Sequence, residues 1–445
     1  ACLNNLSEVP STSQHPQQSQ HPQHPQHLNT LNNLNNLNTL NNLNTLNNLN
    51  TFNILNHSSH TNLHMKKILL MFLLLSLGMG ACKKDEPSVE EKQQAILDNY
   101  AAIVLANYED VYNTAEILKN KIDLFVADPT EFNLAICKQA WLAARIPYGQ
   151  SEAFRFYGGP IDDADGPEGL INAWPMDENF IDYVQGNANA GLINNPAQYP
   201  DITKQVLIDL NESISESSIF TGYHAIEFLL WGQDFSTSEA GSRPYTDYVV
   251  GGTASNQARR GQYLKVVAEL LLENLAAVRD EWKSGGTYRT KFLKDTPKAT
   301  ALGYLFISLG ELSKGELAGE RMFVAVDTQD QENEHSCFSD NTIADIQMNF
   351  KGLQNVYYGE YTRTDGSLVT GKSLASLASE TDKDKAAAVS EAFANAQISI
   401  SQIPVPFDQA ILNSPGPQKI LTAVADLRTL SDRLTDVGFA LGAEF

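Results

Sequence analysis

Methionine is absent from the first 64 residues of this 445-residue chain, and charge is almost absent there too. Seven of the nine histidines fall in that stretch, and Leu28 to Asn56 is a run of Leu-Asn-Asn and Leu-Asn-Thr triplets. No packed domain is expected of residues 1–64, which read as a low-complexity extension upstream of a start at Met65. After it, only His224 and His335 remain, and the zinc-protease pattern His-Glu-x-x-His occurs nowhere. Cysteine is as scarce. Cys2, Cys82, Cys137 and Cys337 are all there are, too few for a disulfide scaffold. Positive charge is short as well: 31 Lys and Arg against 53 Asp and Glu give −22, which excludes nucleic acid as a natural partner and favours cations. The one long apolar run, Ile68–Leu77, has ten residues and is too short to span a bilayer.

That run follows Met65-Lys66-Lys67 and is closed by Met79-Gly80-Ala81-Cys82. A basic start, an apolar stretch and small residues before Cys make a lipoprotein signal over 65–81. Cys82 is then the acylated first mature residue, and 82–87 is a polar tether. The expected location is the cell envelope, with the chain lipid-anchored to the outer membrane and facing either the periplasm or the surface. Acyl chains hold a protein to the membrane by about 0.8 kcal/mol per buried CH2. Cys137 and Cys337 are read as free thiols.

Helical spacing dominates the rest. Leu97, Tyr100, Val104, Tyr108, Val111, Leu118, Ile122 and Phe125 recur by threes and fours, after a capping box of Ser88 with Glu91 and before Asp128-Pro129. Thr130 starts a second helix that reaches Pro147. Residues 157–200, rich in Gly, Pro, Asn and Asp, read as a long functional excursion. Helix returns over 219–231, over 264–282 before Gly285-Gly286, over 299–324, after Ser339 or Asp340 as cap, and over 420–441. No run alternates with period two. The fold predicted is all-α: two antiparallel four-helix-bundle-like domains, 88–240 and 241–445, related by an old duplication.

Chemistry is sought first at the two histidines. His224 and Glu227 lie in Gly222-Tyr223-His224-Ala225-Ile226-Glu227, three residues apart on one face of an apolar helix. A buried carboxylate needs a cation or strong donors, and imidazole with carboxylate suits zinc or iron. A satisfied core hydrogen bond is the alternative reading of the same spacing. His335 lies in Glu334-His335-Ser336-Cys337-Phe338-Ser339-Asp340-Asn341, whose end also suits a helix cap. Arg145, Tyr148, Ser151 and Glu152 cluster around Pro147; Glu152 is either a metal ligand or the partner of an arginine. Glu320 and Arg321 form a similar pair in a later helix.

At these residues the chain resembles the imelysin family, which also carries a metallopeptidase label. The resemblance rests on Gly222, His224 and Glu227 as Gly-x-His-x-x-Glu, on Trp141, Arg145, Tyr148 and Ser151-Glu152, on Arg243-Pro244-Tyr245, on Gly319-Glu320-Arg321, and on the His335 segment. It spans about 97 to 441. It implies two helical-bundle domains with a pocket between them and an exported protein tied to iron or another divalent metal. His224 and Glu227 would be ligands, with Glu152, Glu320 and His335 completing the site. Arg145, Tyr148, Ser151 and Tyr245 would line the pocket. The partners implied are a membrane, a metal ion and iron-uptake machinery. Ile343 stands where some relatives carry His, which points to a reduced site. A cell-envelope metallopeptidase and a metal-free ligand-binding module are the other readings.

Overall fold

The computed structural model describes residues 87–236 and 238–445, all within one compact unit that starts at residue 84. The leader, Cys82 and the triplet repeats lie outside the described residues. Eight α-helices of ten residues or more carry the described fold.

The first is α1, Val89–Ala127, opened by the capping box in which Ser88 accepts from Glu91 N–H and Glu91 accepts from Ser88 N–H. Its stripe from Leu97 to Phe125 is buried. Helix α2, Glu131–Ser151, is capped by Thr130 and does not stop at Pro147. Proline lacks the N–H that would reach the Ala143 carbonyl, yet the helix continues for one more turn, and Asn107 Nδ2 donates to the Pro147 carbonyl at 3.1 Å. That turn carries Tyr148, Ser151 and the approach to Glu152.

The excursion over 157–200 is irregular, with single-turn helices at Glu168–Ile171, Glu178–Phe180 and Gly191–Asn194. Helix α3, Gly222–Trp231, follows, and all ten of its residues are buried. Burying Ile226, Phe228, Leu229 and Leu230 is worth about 1.5–3 kcal/mol each. Helix α4 is Gln257–Trp282. It packs on α1 and α3, and α2 packs on both α1 and α3, so α1 to α4 form one four-helix group.

Helix α5, Lys298–Glu311, runs on through a π-helical stretch, Leu312–Phe323, into Val324–Thr328. Helix α6 is Thr342–Tyr358, α7 is Lys383–Ser401 and α8 is Gly416–Ala440. Helix α8 packs on α5 and α7, and α6 packs on the π stretch, giving a second group. Helix α6 also lies along α2, which joins the two groups. A two-strand hairpin, β1 Glu360–Thr362 and β2 Leu368–Thr370, pairs antiparallel with Tyr361 opposite Val369. It was not visible in the sequence, because three-residue strands leave no alternation to read.

Helix α6 corrects one expectation. Neither Ser339 nor Asp340 caps it. It starts at Thr342 after Asn341, and no side chain caps its first turn. Cys137 and Cys337 are buried free thiols. No helix among the described residues is long and apolar enough to cross a membrane.

Candidate functional site

His224 comes from the first turn of α3, and Gly222 sets its position. Gly222 has φ +82°, a region that favours glycine, and a Cβ there would collide with the Ile171 carbonyl. The chain can therefore press α3 against the excursion only with glycine in place. His335 arrives from the segment before α6. The two imidazoles meet edge to face, with Nε2 to Nε2 at 3.3 Å. Trp174 covers His224, ring centroids 5.0 Å apart.

Each imidazole is backed by a carboxylate. His224 Nδ1 is 2.9 Å from Glu227 Oε2, and His335 Nδ1 is 3.1 Å from Asp345 Oδ2. Both histidines and both acids are buried. Yet the acids are held in opposite states. Burial would raise Asp345, but Arg145 outweighs it, donating from Nε at 3.1 Å and from a terminal nitrogen at 3.0 Å, and holds Asp345 well below the usual carboxylate range. Ser336 Oγ and Asn341 Nδ2 also donate to it. Glu227 has no arginine contact. Burial pushes it up to about 8, although Ser339 donates to Oε1 from both its N–H and its hydroxyl, at 3.0 and 2.6 Å. Burial also depresses both histidines, His335 to about 4. The network fixes the protons. Ionised Asp345 accepts a hydrogen bond from His335 Nδ1–H. The single lone pair of His335 Nε2 is then shared by two long contacts, His224 Nε2–H and Asn172 Nδ2, each at 3.3 Å. His224 Nδ1 is left to accept the proton of neutral Glu227.

His335 and Asn172 open onto a cavity of about 310 Å³, whose walls include Arg155, Glu168, Trp174, Glu316 and Arg321. Glu320 is exposed on its rim. Glu152 lies behind this wall. Its Oε2 takes Arg155 at 2.8 Å and Arg321 at 2.5 Å, while its Oε1 is buried without a hydrogen-bond partner. Tyr148 lies beside Arg145, ring to guanidinium 5.2 Å, with its hydroxyl buried and unpaired. Ser151 turns back to bond the Tyr148 carbonyl. Tyr245 sits in the short helical turn Tyr245–Tyr248, half-buried against the core, and is not part of the cavity wall. Of the residues chosen from sequence, then, His224, Glu227, His335 and Arg145 share one network. Glu320 is on the cavity side of it, and Glu152 lies behind the cavity wall, held by Arg155 and Arg321. Asp345 and Asn172 are central, and sequence reasoning passed over both. The signal was a charged residue on the buried stripe of α6, between Thr342 and Ile346.

The arrangement bears on a metal. Among the described residues no group of three or more His, Cys, Asp or Glu side chains is arranged to hold an ion. The pair would offer two nitrogens once a cation displaced the Nε2 proton of His224 and the Glu227 proton passed to His224 Nδ1, one proton being released in all. Two imidazole nitrogens about 2.0–2.1 Å from a tetrahedral ion stand about 3.3–3.4 Å apart, the separation already present here. Glu227 stands behind His224 rather than beside it, as the outer carboxylate of a metal-binding histidine does.

The model of the family described as Imelysin matches residues 104–434. The chain belongs to the imelysin family. It is 26% identical over 341 residues to iron-regulated protein A of Synechococcus elongatus, covering 75% of this chain and 82% of that protein. Among solved structures it is similar to an iron-regulated protein A precursor from Parabacteroides distasonis, with a TM-score of 0.62 and 19% identity, covering 81% of this chain and 97% of the other. An imelysin-like protein from Psychrobacter arcticum gives 0.51 and 16%, with 80% and 94% covered. These structures bear out the helical imelysin fold.

Proposed function

We propose that this imelysin is an exported, lipid-anchored protein of the cell envelope that receives a divalent transition-metal ion, iron foremost, at the His224–His335 pair. One observation carries the reading: two buried imidazole nitrogens 3.3 Å apart, each ring oriented by its own carboxylate and one of them opening onto a cavity. The residues fit a visiting ion better than a structural one. A structural zinc is closed by four protein ligands and a catalytic one keeps three. Two histidines leave the other positions to water or to a donor or acceptor of the ion, which suits uptake or delivery more than peptide hydrolysis. The relatives named for iron regulation support an iron-related role. Acylation at Cys82 would supply the anchor. The two four-helix groups support an old duplication.

The test is metal content by mass spectrometry on the full chain, purified without a histidine tag, beside His224→Ala and His335→Ala. Near-stoichiometric iron or zinc in the parent, lost in both variants, is expected. A parent that stays empty after loading with Fe(II) and Zn(II) sinks the proposal.

A further inference from the structure

The cavity that reaches His335 carries a charge pattern of its own. Two guanidiniums, Arg155 and Arg321, stand there, and both are already engaged. Arg155 pairs with Glu152 and Glu168, and Arg321 pairs with Glu152 and Glu316. Those three carboxylates outnumber the two cations they face. Glu212 and Glu320 add two more on the same cavity, both exposed and neither in an ion pair. Four carboxylates on the cavity, Glu168, Glu212, Glu316 and Glu320, with Glu152 behind the wall, outnumber the two spent guanidiniums and leave the approach to His335 negative. A cavity of one sign with low-dielectric walls concentrates ions of the other sign and repels its own. No free cationic side chain lines the cavity to take the carboxylates of a chelator.

We infer, resting on the metal reading above, that the cavity admits the free hydrated divalent cation and turns away metal held in an anionic chelate. Glu212 and Glu320 are its electrostatic gate. They sit at the rim, far enough out to act on the approaching ion before the imidazoles do. Citrate-bound metal is the disfavoured form, since its carboxylates meet only carboxylates.

Co(II) is a suitable probe. It quenches tryptophan, and Trp174 lies against His224. Stopped-flow quenching of the full chain is followed with Co(II) chloride, at rising ionic strength, in the parent and in Glu212→Gln/Glu320→Gln. Both side chains are exposed and unpaired, so the variant keeps its fold, which circular dichroism checks. The expected result is an association rate about threefold to tenfold lower in the variant at low salt, converging with the parent at high salt. Cobalt presented with excess citrate should quench the parent only to the extent of its free ion, and Glu212→Lys/Glu320→Lys should narrow that gap. If the parent binds Co(II) and the neutral variant matches its rate at every salt, the gate is refuted while the metal site stands. If the parent binds cobalt citrate as fast as the free ion, the selectivity is refuted. If it binds no Co(II) at all, this inference and the proposed function fall together.

Discussion

Asp345→Asn tests the electrostatic logic of the site most directly. Asp345 receives Arg145 through two nitrogens, His335, Ser336 and Asn341. The amide keeps the shape, loses the charge and turns one acceptor into a donor. Arg145 is 1% exposed, so its charge cannot escape to water. Removing one partner of a buried pair costs about 3–5 kcal/mol, chiefly for the charge left behind. Here the guanidinium also faces the rings of Tyr223 and Tyr148, at 5.1 and 5.2 Å, and each such contact is worth about 0.5–2 kcal/mol. The rings and Asn172 Oδ1, 2.6 Å from Arg145, soften the loss toward the lower end, about 3 kcal/mol. Urea unfolding followed by circular dichroism reads this as a lower midpoint with an unchanged slope. Arg145→Met combined with Asp345→Asn should recover a large part of the loss, because the stranded charge is gone. A loss below about 1 kcal/mol for Asp345→Asn, or strict additivity in the double variant, would refute the assignment of a buried ionised pair.

Glu227→Gln should keep stability within about 1 kcal/mol of the parent, since a neutral Glu227 already donates to His224 and the amide can do the same; a loss of several kcal/mol in urea would show Glu227 to be ionised instead. Gly222→Ala forces a methyl onto the Ile171 carbonyl at a φ that costs of order 1–3 kcal/mol by itself, so soluble yield and the unfolding midpoint should both fall, and a parent-like midpoint would show that α3 sits elsewhere. Acid should destabilise the fold through carboxylates held low by guanidiniums. Burial opposes the effect, but Arg155 and Arg321 hold Glu152 at about 2 against an ordinary 4.5, and Arg243 and Arg260 lower Asp182. Their depressed folded values mean stability is complete above the ordinary carboxylate range and is lost as pH falls toward the folded values. Thermal midpoints should therefore drop steeply below about pH 4.5, and less steeply in Glu152→Gln; an equal drop in both removes Glu152 from the account.

The long helices were legible because their burial follows one stripe. Leu97 to Phe125 and Leu264 to Trp282 needed no more than a spacing of three and four. The ends were legible where a cap is local, as with Ser88 and Glu91. Ser339 shows the limit. Its place just before a helix made it a cap by local rules, yet its hydroxyl goes to Glu227, 112 residues away in sequence. Pro147 left open whether its helix persists or kinks; the helix runs on, and the side chain that meets its carbonyl, Asn107, is 40 residues distant. Spacing placed Glu227 near His224 correctly. It could not say that the acid sits behind the ring, since that depends on Ser339 and on the packing of α3. Asp345 and Asn172 were missed because each is ordinary among its neighbours in sequence and becomes special only beside Arg145.

The meeting of His224 with His335 across 111 residues has a consequence for when the site comes into existence. Arg145 is supplied by α2, Asn172 by the excursion, Glu227 by α3 and Asp345 by α6. No fragment short of residue 345 contains the pair with both its carboxylates. A chain threaded through a membrane unfolded therefore carries no such site while in transit. Under the function proposed above, an ion is taken up only where the chain folds, from what that compartment holds.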